Sequence, residues 1–321
     1  MLSLPDFREK SLVLCFSNEG QTLSFKNDNL IVKDKDNKII LQQSCYLIFS
    51  VWIIGSISLT SGIIQRSKKF GFSIFILSSS FKPQDIWSAG AEGNFLLREK
   101  QYQYQGLEIA EHLVKNKIQN QQLLLKGMRD KNTDIKNSIE RLTEYQSRLE
   151  STNDLQSLLG LEGIASREFF KIWYSGLNWK GRKPRIKIDP INVLLDIGYT
   201  YLFNFIEAIT LLYGFDIYKG VFHQNFYQRK SLICDLVEPF RCIIDKKIKK
   251  AYNLGQAKDD DFLQNKGYYS LKIEKNKTYT AWLIQDILLF KEPIFLFIQD
   301  YYRAFMRQKS ITEYPIFRIQ E

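Results

Sequence analysis

The feature that most limits what this chain can fold into is a change of hydrophobic rhythm near residue 93. Before it, short apolar runs are cut by polar turns: SLVLCFS from Ser11, TLSF from Thr22, LIV and IIL on either side of KDKDNK, and FSIFIL after Gly71. Runs of that length, bounded by turn residues, predict a small sheet domain. After Asn94 the apolar positions recur at helical spacing, with Leu107, Ala110, Val114 and Ile118 on one face and Ile135, Ile139, Leu142 and Leu149 on another beyond Gly127. Further apolar runs at 191–213, 232–250, 280–291 and 294–307 extend the helical pattern. The expected fold class is α+β with two domains: a small β-rich amino-terminal domain over 1–93 and a larger all-helical domain over 94–321. At 321 residues, the chain is long enough for each to bury its own core.

One stretch imitates a membrane span. Cys45 to Ile64 is uncharged and about as long as a bilayer requires, roughly 20 residues. Ser50, Gly55, Ser56, Ser58, Thr60 and Ser61 interrupt it, and the alternation around Ile57 and Leu59 reads as a strand followed by a helix that Thr60 or Ser61 caps. No membrane is expected. The start, MLSLPDFREK, lacks a basic-then-apolar signal pattern, and the four cysteines at 15, 45, 234 and 242 form no CxxC pair, so a reducing cytoplasm is expected. Lys and Arg exceed Asp and Glu by 45 to 35, and that excess favours a polyanionic partner such as nucleic acid. Asp34 and Asp36 lack the glycine and distal glutamate of a calcium loop and read as a solvated hairpin.

With two histidines, imidazole chemistry is quickly enumerated. His112, in GLEIAEHLVKNK, reads as an exposed helix residue. His223 follows the break at Gly220 and precedes Asp235 by twelve residues, with Glu238 three further on. Residues three apart on a helix share a face, so Asp235 and Glu238 are expected to converge on one point. Paired carboxylates need positive charge between them, which either basic side chains or a hard divalent cation supplies; an added imidazole suits Mn²⁺ and leaves Mg²⁺ open. D-x-x-E is also common on plain surface helices. Glu162, in SLLGLEGIASREFF, is a carboxylate within an apolar segment, costly unless paired or coordinating, although a place at a helix start beside the positive dipole end would also account for it.

Four segments in order carry a resemblance: LLGLEGIASREFF, NWKGRKPRIKIDPINVLLDIGYTYL, YKGVFHQN and SLICDLVEPFR, with ISLTSGIIQRSKKFGFSIFIL and NFLLREKQYQ before them and YPIF as a weaker echo near the end. Together they resemble the universal integrase of CRISPR adaptation, the larger subunit of the spacer-acquisition complex. The resemblance implies that Glu162, His223 and Glu238 are ligands of Mg²⁺ or Mn²⁺ and that Asp235 is a neighbouring acid needed for activity. The third ligand is Asp in some members and Glu here. Phe169 stands where many relatives have Tyr, which puts a hydroxyl role there in doubt.

The activity so implied is transesterification, in which the 3′-hydroxyl of a short duplex attacks a phosphodiester of the CRISPR repeat, with nuclease activity as its hydrolytic counterpart. Partners implied are double-stranded DNA (protospacer and repeat), a second copy of the chain through the β-rich domain, and the small second adaptation subunit. Lys171, Lys180, Arg182, Lys183, Arg185 and Lys187 run without an intervening acid, and Arg229, Lys230 and Arg241 bracket the Asp235 helix. Such residues hold phosphates without reading sequence, and each also reads as a plain solvated cation. Arg182 and Asn192 are substrate-strand or site-supporting candidates, and Asn192 equally suits a cap for a helix near Val193. Tyr199 and Tyr201 read as packing, and Lys246, Lys247, Lys249, Lys250 and the run Asp259, Asp260 and Asp261 as solvated. The competing readings are a transposon-type integrase, a standalone metal-dependent nuclease on branched DNA, and a non-enzymatic basic DNA-binding protein. No GxxxxGK[ST], GxSxG or GxGxxG motif is present.

Overall fold

The computed structural model describes residues 2–79, 82–88, 90–91, 93–129, 132–223 and 226–319. Its contacts divide into two compact units, one of Met1–Glu99 with Glu207–Phe215, the other of Lys100–Ile206 with Asp216–Glu321.

The first unit opens with α1 (Leu4–Glu9), whose first turn holds Pro5 and is capped by Ser3. It continues through β1 (Ser11–Phe16), β2 (Thr22–Lys26), β3 (Asn29–Lys33), β4 (Ile39–Ser44), β5 (Ile48–Ile54), α2 (Ser61–Phe70), β6 (Ser73–Leu77) and β7 (Pro83–Trp87). These strands make two sheets rather than one: a mixed sheet in the order β1-β5-β6-β7 and an antiparallel β2-β3-β4 sheet. Asn27 and Asp28 take left-handed φ of 49° and 56°, the geometry of a tight two-residue hairpin, and set Lys26 opposite Asn29. The uncharged stretch after Cys45 becomes β5, parallel to both β1 and β6 and buried along its whole length. A central parallel strand is covered on both faces, which is why it reads as a continuous apolar run. The strand therefore lies ahead of Ile57 and Leu59, and Thr60 precedes α2 without a side-chain capping bond.

The helical unit contains α4 (Glu108–Lys126), α5 (Thr133–Leu149), α6 (Leu155–Trp173), α8 (Ser231–Val237), α9 (Arg241–Asn253), α10 (Asn276–Leu289) and α11 (Lys291–Met306); α3 (Phe95–Gln103) and α7 (Pro190–Leu211) run across the division between the units. By length and composition α7 could cross a membrane, yet 83% of its most apolar window is buried, as in the core helix of a folded domain. The region is not all-helical. A hairpin, β8 (Phe262–Asn265) and β9 (Tyr268–Leu271), turns at Lys266 and Gly267, both at positive φ. The asparagine-lysine-glycine sequence there is a turn signal that helical periodicity in the flanks obscures.

Beyond α11 the chain returns along α4. Asn116 and Asn120, four residues apart on one face, bond the backbone of Phe317 and Ile319 at 2.7–3.0 Å. His112 extends this seam: its Nε2 lies 2.9 Å from the Pro315 carbonyl and its ring meets Tyr314 edge-on, so it is half-buried and partnered rather than exposed. The strap fixes one side of α4, the helix that carries Lys117.

Candidate active site

Glu162 sits inside α6, with Leu158, Leu161, Ala165 and Phe169 turned into the core. The helix start is capped by Asp154, eight residues earlier, so the positive dipole end does not hold Glu162. Its partners are side chains. Ser166 Oγ, one turn on, donates to Oε1 at 2.7 Å, and the ammonium of Lys117 from α4 donates to the same oxygen.

Lys117 joins two helices at once. Its Nζ also lies 2.7 Å from Glu238 Oε2, where Arg241 Nε donates at 2.9 Å. Lys117 and Glu238 expose only 9% and 5% of their side chains, so each charge is stabilised by its partners rather than by water. Burial alone would raise the Glu238 carboxyl, but Arg241, Lys117 and His223 override it and hold the group down at about 2. For Lys117, burial works against the charge, and Glu162 and Glu238 outweigh it, so its pKa is raised.

Asp235 faces elsewhere. Fully buried on α8, it accepts from the backbone N–H groups of Val221 and Phe222 at 2.6 and 3.0 Å through Oδ2, and from His223 N at 2.8 Å through Oδ1. The same Oδ1 lies 2.7 Å from His223 Nδ1. Successive amides closing on an oxyanion form a nest. Gly220 is required at its rim, because a Cβ there would stand 2.7 Å from Asp235 Oδ2 and 2.8 Å from Ser231 Cβ. The expectation that Asp235 and Glu238 converge is therefore corrected: Pro239 follows Glu238 in a 3-10 turn, and the two carboxylates serve different partners. Asp235 fixes the imidazole through Nδ1, leaving Nε2 as the ring nitrogen for a ligand. Gln224 and Asn225, next in that motif, lie outside the described residues.

Several residues expected to contact DNA are engaged within the protein. Asn192 is fully buried, accepts from Arg182 Nη1 and Lys183 N and donates to Gly181 O and Asp189 Oδ2, so it organises the 181–183 loop instead of reaching a strand. Nor does it cap α7, since Asp189 accepts from Asn192 N at 2.7 Å in the capping position. Arg182 pairs with Asp196 at 2.8 Å, and Arg241 with Glu238; both guanidinium groups lie over the ring of Tyr199. Tyr199 donates to the buried Asp245 at 2.6 Å, and Tyr201 meets Thr280 at 2.9 Å, so both are hydrogen-bonded interior groups. Burial pushes the Asp245 carboxyl up to about 7, against the Tyr199 bond and the nearby cations. Lys183 and Arg185 are exposed, Arg229 and Lys230 half-buried. Phe169 is buried and stacks on Trp173, so a hydroxyl at that position would enter the core. Lys247 and Lys249 are also less free than expected, one pairing with Asp286 and the other donating to the Trp173 carbonyl.

Among the described residues no three His, Cys, Asp or Glu side chains form a ready metal cage. The ammonium of Lys117 lies between two of the expected ligands, Glu162 and Glu238. Sequence reading missed it, although the signal was present: Lys117 falls three residues after Val114 and next to Ile118, a charge on a core-facing stripe. Beside the site, a groove of about 690 Å³ is lined by Gly163, Ser166, Arg167, Lys171, Trp179 and Arg182 among others.

The family model for "CRISPR associated protein Cas1" matches residues 14–283. The chain belongs to the Cas1 family. Among curated relatives, the CRISPR-associated endonuclease Cas1 1 of Thermodesulfovibrio yellowstonii is 29% identical over 280 residues, covering 81% of this chain and 87% of its own. The CRISPR-associated endonuclease Cas1 2 of Rhodospirillum rubrum is 26% identical over 83% of each chain. Two solved structures share the fold: a CAS1 protein from Thermotoga maritima (TM-score 0.78, 16% identity, 97% of this chain and 100% of that one) and a casposase bound to integration product (TM-score 0.77, 19% identity, 97% and 96%). A Cas6-RT-Cas1--Cas2 complex aligns at TM-score 0.82 and 24% identity over 98% of this chain, which spans 36% of that longer chain. Membership of the Cas1 family and the mixed fold, β-rich first and then mainly helical, agree with what the sequence motifs imply.

Proposed function

We propose that this chain is a metal-dependent DNA endonuclease and integrase that inserts short DNA segments into a CRISPR array, the 3′-hydroxyl of a short duplex attacking a phosphodiester of the repeat. The observation that carries this reading is the meeting of Glu162 and Glu238 on one cationic point, in the helical unit that also presents His223 with its Nδ1 held by a buried carboxylate. Metal-ligating histidines characteristically have their second nitrogen fixed in this way. Two carboxylates and an imidazole Nε2 are a donor set suited to Mn²⁺ and acceptable to Mg²⁺. Bound there, the ion would polarise the phosphodiester and offset charge on the leaving oxygen.

The remaining chemistry belongs to side chains. Asp235 keeps the imidazole in one orientation and tautomer through Nδ1. Arg241 holds Glu238 ionised. The exposed Lys183 and Arg185, with Arg167 and Lys171 along the groove, grip phosphates, which makes binding salt-dependent and indifferent to sequence. The partners proposed are a Cas2-type subunit, in keeping with the Cas6-RT-Cas1--Cas2 complex, and DNA, in keeping with the casposase bound to integration product. A homodimer through the β-rich unit is supported by the apolar row Ile39, Ile40 and Leu41 on β4, an edge strand of its sheet. We place the protein in the cytoplasm, where its substrate DNA lies.

A joining assay tests the reading. The chain, with its small partner, receives a short duplex and a supercoiled plasmid bearing the repeat, with Mn²⁺ or a chelator. Joined product is expected only with metal, and is expected to vanish in folded Glu162→Ala, His223→Ala and Glu238→Ala variants while duplex binding persists. Product that survives chelation or these substitutions overturns it.

A further inference from the structure

Lys117 touches both Glu162 and Glu238, and its contacts have a pattern. Its ammonium and Ser166 Oγ meet on Oε1 of Glu162, while the ammonium and Arg241 Nε meet on Oε2 of Glu238. The ammonium thus stands between the two carboxylates. An ion shared by both carboxylates, at the short metal–oxygen distances that Mg²⁺ and Mn²⁺ require, has to enter that same space. Two cations cannot bind there together without strong repulsion at such separations. The three cationic or imidazole partners also differ in freedom. Arg241 is pinned over the Tyr199 ring at 4.5 Å, and His223 is pinned by Asp235. Lys117 carries its charge on a flexible four-carbon stem, and among the described residues its tip pairs with these two carboxylates.

We propose that Lys117 is a built-in counter-cation of the metal site, and that its ammonium must leave the Glu162–Glu238 pair for a divalent ion to bind. This deepens the metal-dependent reading above and rests on it. The exchange has two effects. Without the ion, Lys117 offsets the charge of the half-buried Glu162 and the buried Glu238 and lets α4, α6 and the Glu238 turn pack together. With it, the displaced ammonium is released to pair with an incoming phosphate, so the ion binds weakly until DNA is present.

The test is Mn²⁺ binding by calorimetry on the full chain, together with the rise in Tm that Mn²⁺ produces. Lys117→Met is expected to bind Mn²⁺ at least tenfold more tightly than the unsubstituted protein, about 1.4 kcal/mol. It is also expected to be less heat-stable without metal and to gain more in Tm on adding it, because the ion replaces the missing charge. Should Lys117→Met not fold in the absence of metal, Lys117→Gln, which keeps a donor for the carboxylates, carries the same comparison. Equal or weaker Mn²⁺ binding in the lysine variants overturns the exchange. Glu162→Ala separates the two failures: if it binds Mn²⁺ as well as the unsubstituted protein, the ligand assignment itself is wrong, whereas if it loses binding and the lysine variants show no gain, only the role of Lys117 falls.

Discussion

Asp235 and Glu238 are three residues apart, both buried and both acidic, yet they are stabilised by opposite means. Asp235 is held by three backbone N–H groups and an imidazole. Glu238 is held by the ends of two long cationic side chains. Backbone donors fixed in a loop cannot be exchanged without unfolding that loop, so Asp235 is committed to orienting His223. Side-chain cations can move aside, so Glu238 keeps the capacity to change partners. A buried carboxylate reveals its role through what neutralises it more than through its burial.

Breaking the backbone-held half should have the largest effect on folding. Asp235→Ala leaves three amides without an acceptor, each worth about 1–3 kcal/mol, so thermal or denaturant unfolding should show a loss of several kcal/mol. Glu238→Gln should unfold closer to the parent but lose more than about 100-fold in joining rate, the outcome expected if Glu238 is the ligand we propose and Asp235 the outer group that orients another. If the two variants exchange these phenotypes, the contrast is false.

Asp245 sharpens the comparison from outside the site. Its carboxyl is raised to about 7 from an ordinary value of 3.8, so between those limits the folded chain holds a proton that the unfolded chain has released. Stability should therefore fall as pH rises through that window, at up to about 1.4 kcal/mol per pH unit, and level off above it. Asp245→Asn, which keeps an acceptor for Tyr199, should lose this slope in unfolding measured across pH. Glu238 acts in the opposite sense: depressed to about 2, it contributes stability above its unfolded value of 4.5 and loses it as pH falls toward 2. The smallest expected effect is at Gly163, where an added Cβ meets nothing within 4 Å. Gly163→Ala should stabilise α6 by about 0.5–1 kcal/mol, yet narrow the groove and weaken duplex retention in a binding titration.

Much of this was legible in the residues. The motifs around Glu162, His223 and Glu238 pointed to the family that the comparisons show, and the change of rhythm near residue 93 anticipated a β-rich region before a mainly helical one. The basic, family-like stretches that hold Arg182, Arg241 and Asn192 predict DNA contacts. The structure engages them with Asp196, Glu238 and the 181–183 loop, pairings that join different elements and leave no trace in local spacing. Likewise, the i+3 interval of Asp235 and Glu238 gives a shared side of one helix. It does not tell which loop or helix approaches that side.

By itself the sequence determined the periodicities, the order of elements, the basic excess and the identity of the acids and the imidazole, because these depend on residue type and near-neighbour spacing. The tertiary structure decided which charges meet: that Lys117 from α4 reaches Glu162 on α6 and Glu238 after α8, and that Asp235 turns to the His223 loop. The reason is geometric. Helical phase fixes where a side chain points around its own axis, whereas the partner it finds depends on how separate axes pack, and that is settled only by burying their apolar faces together.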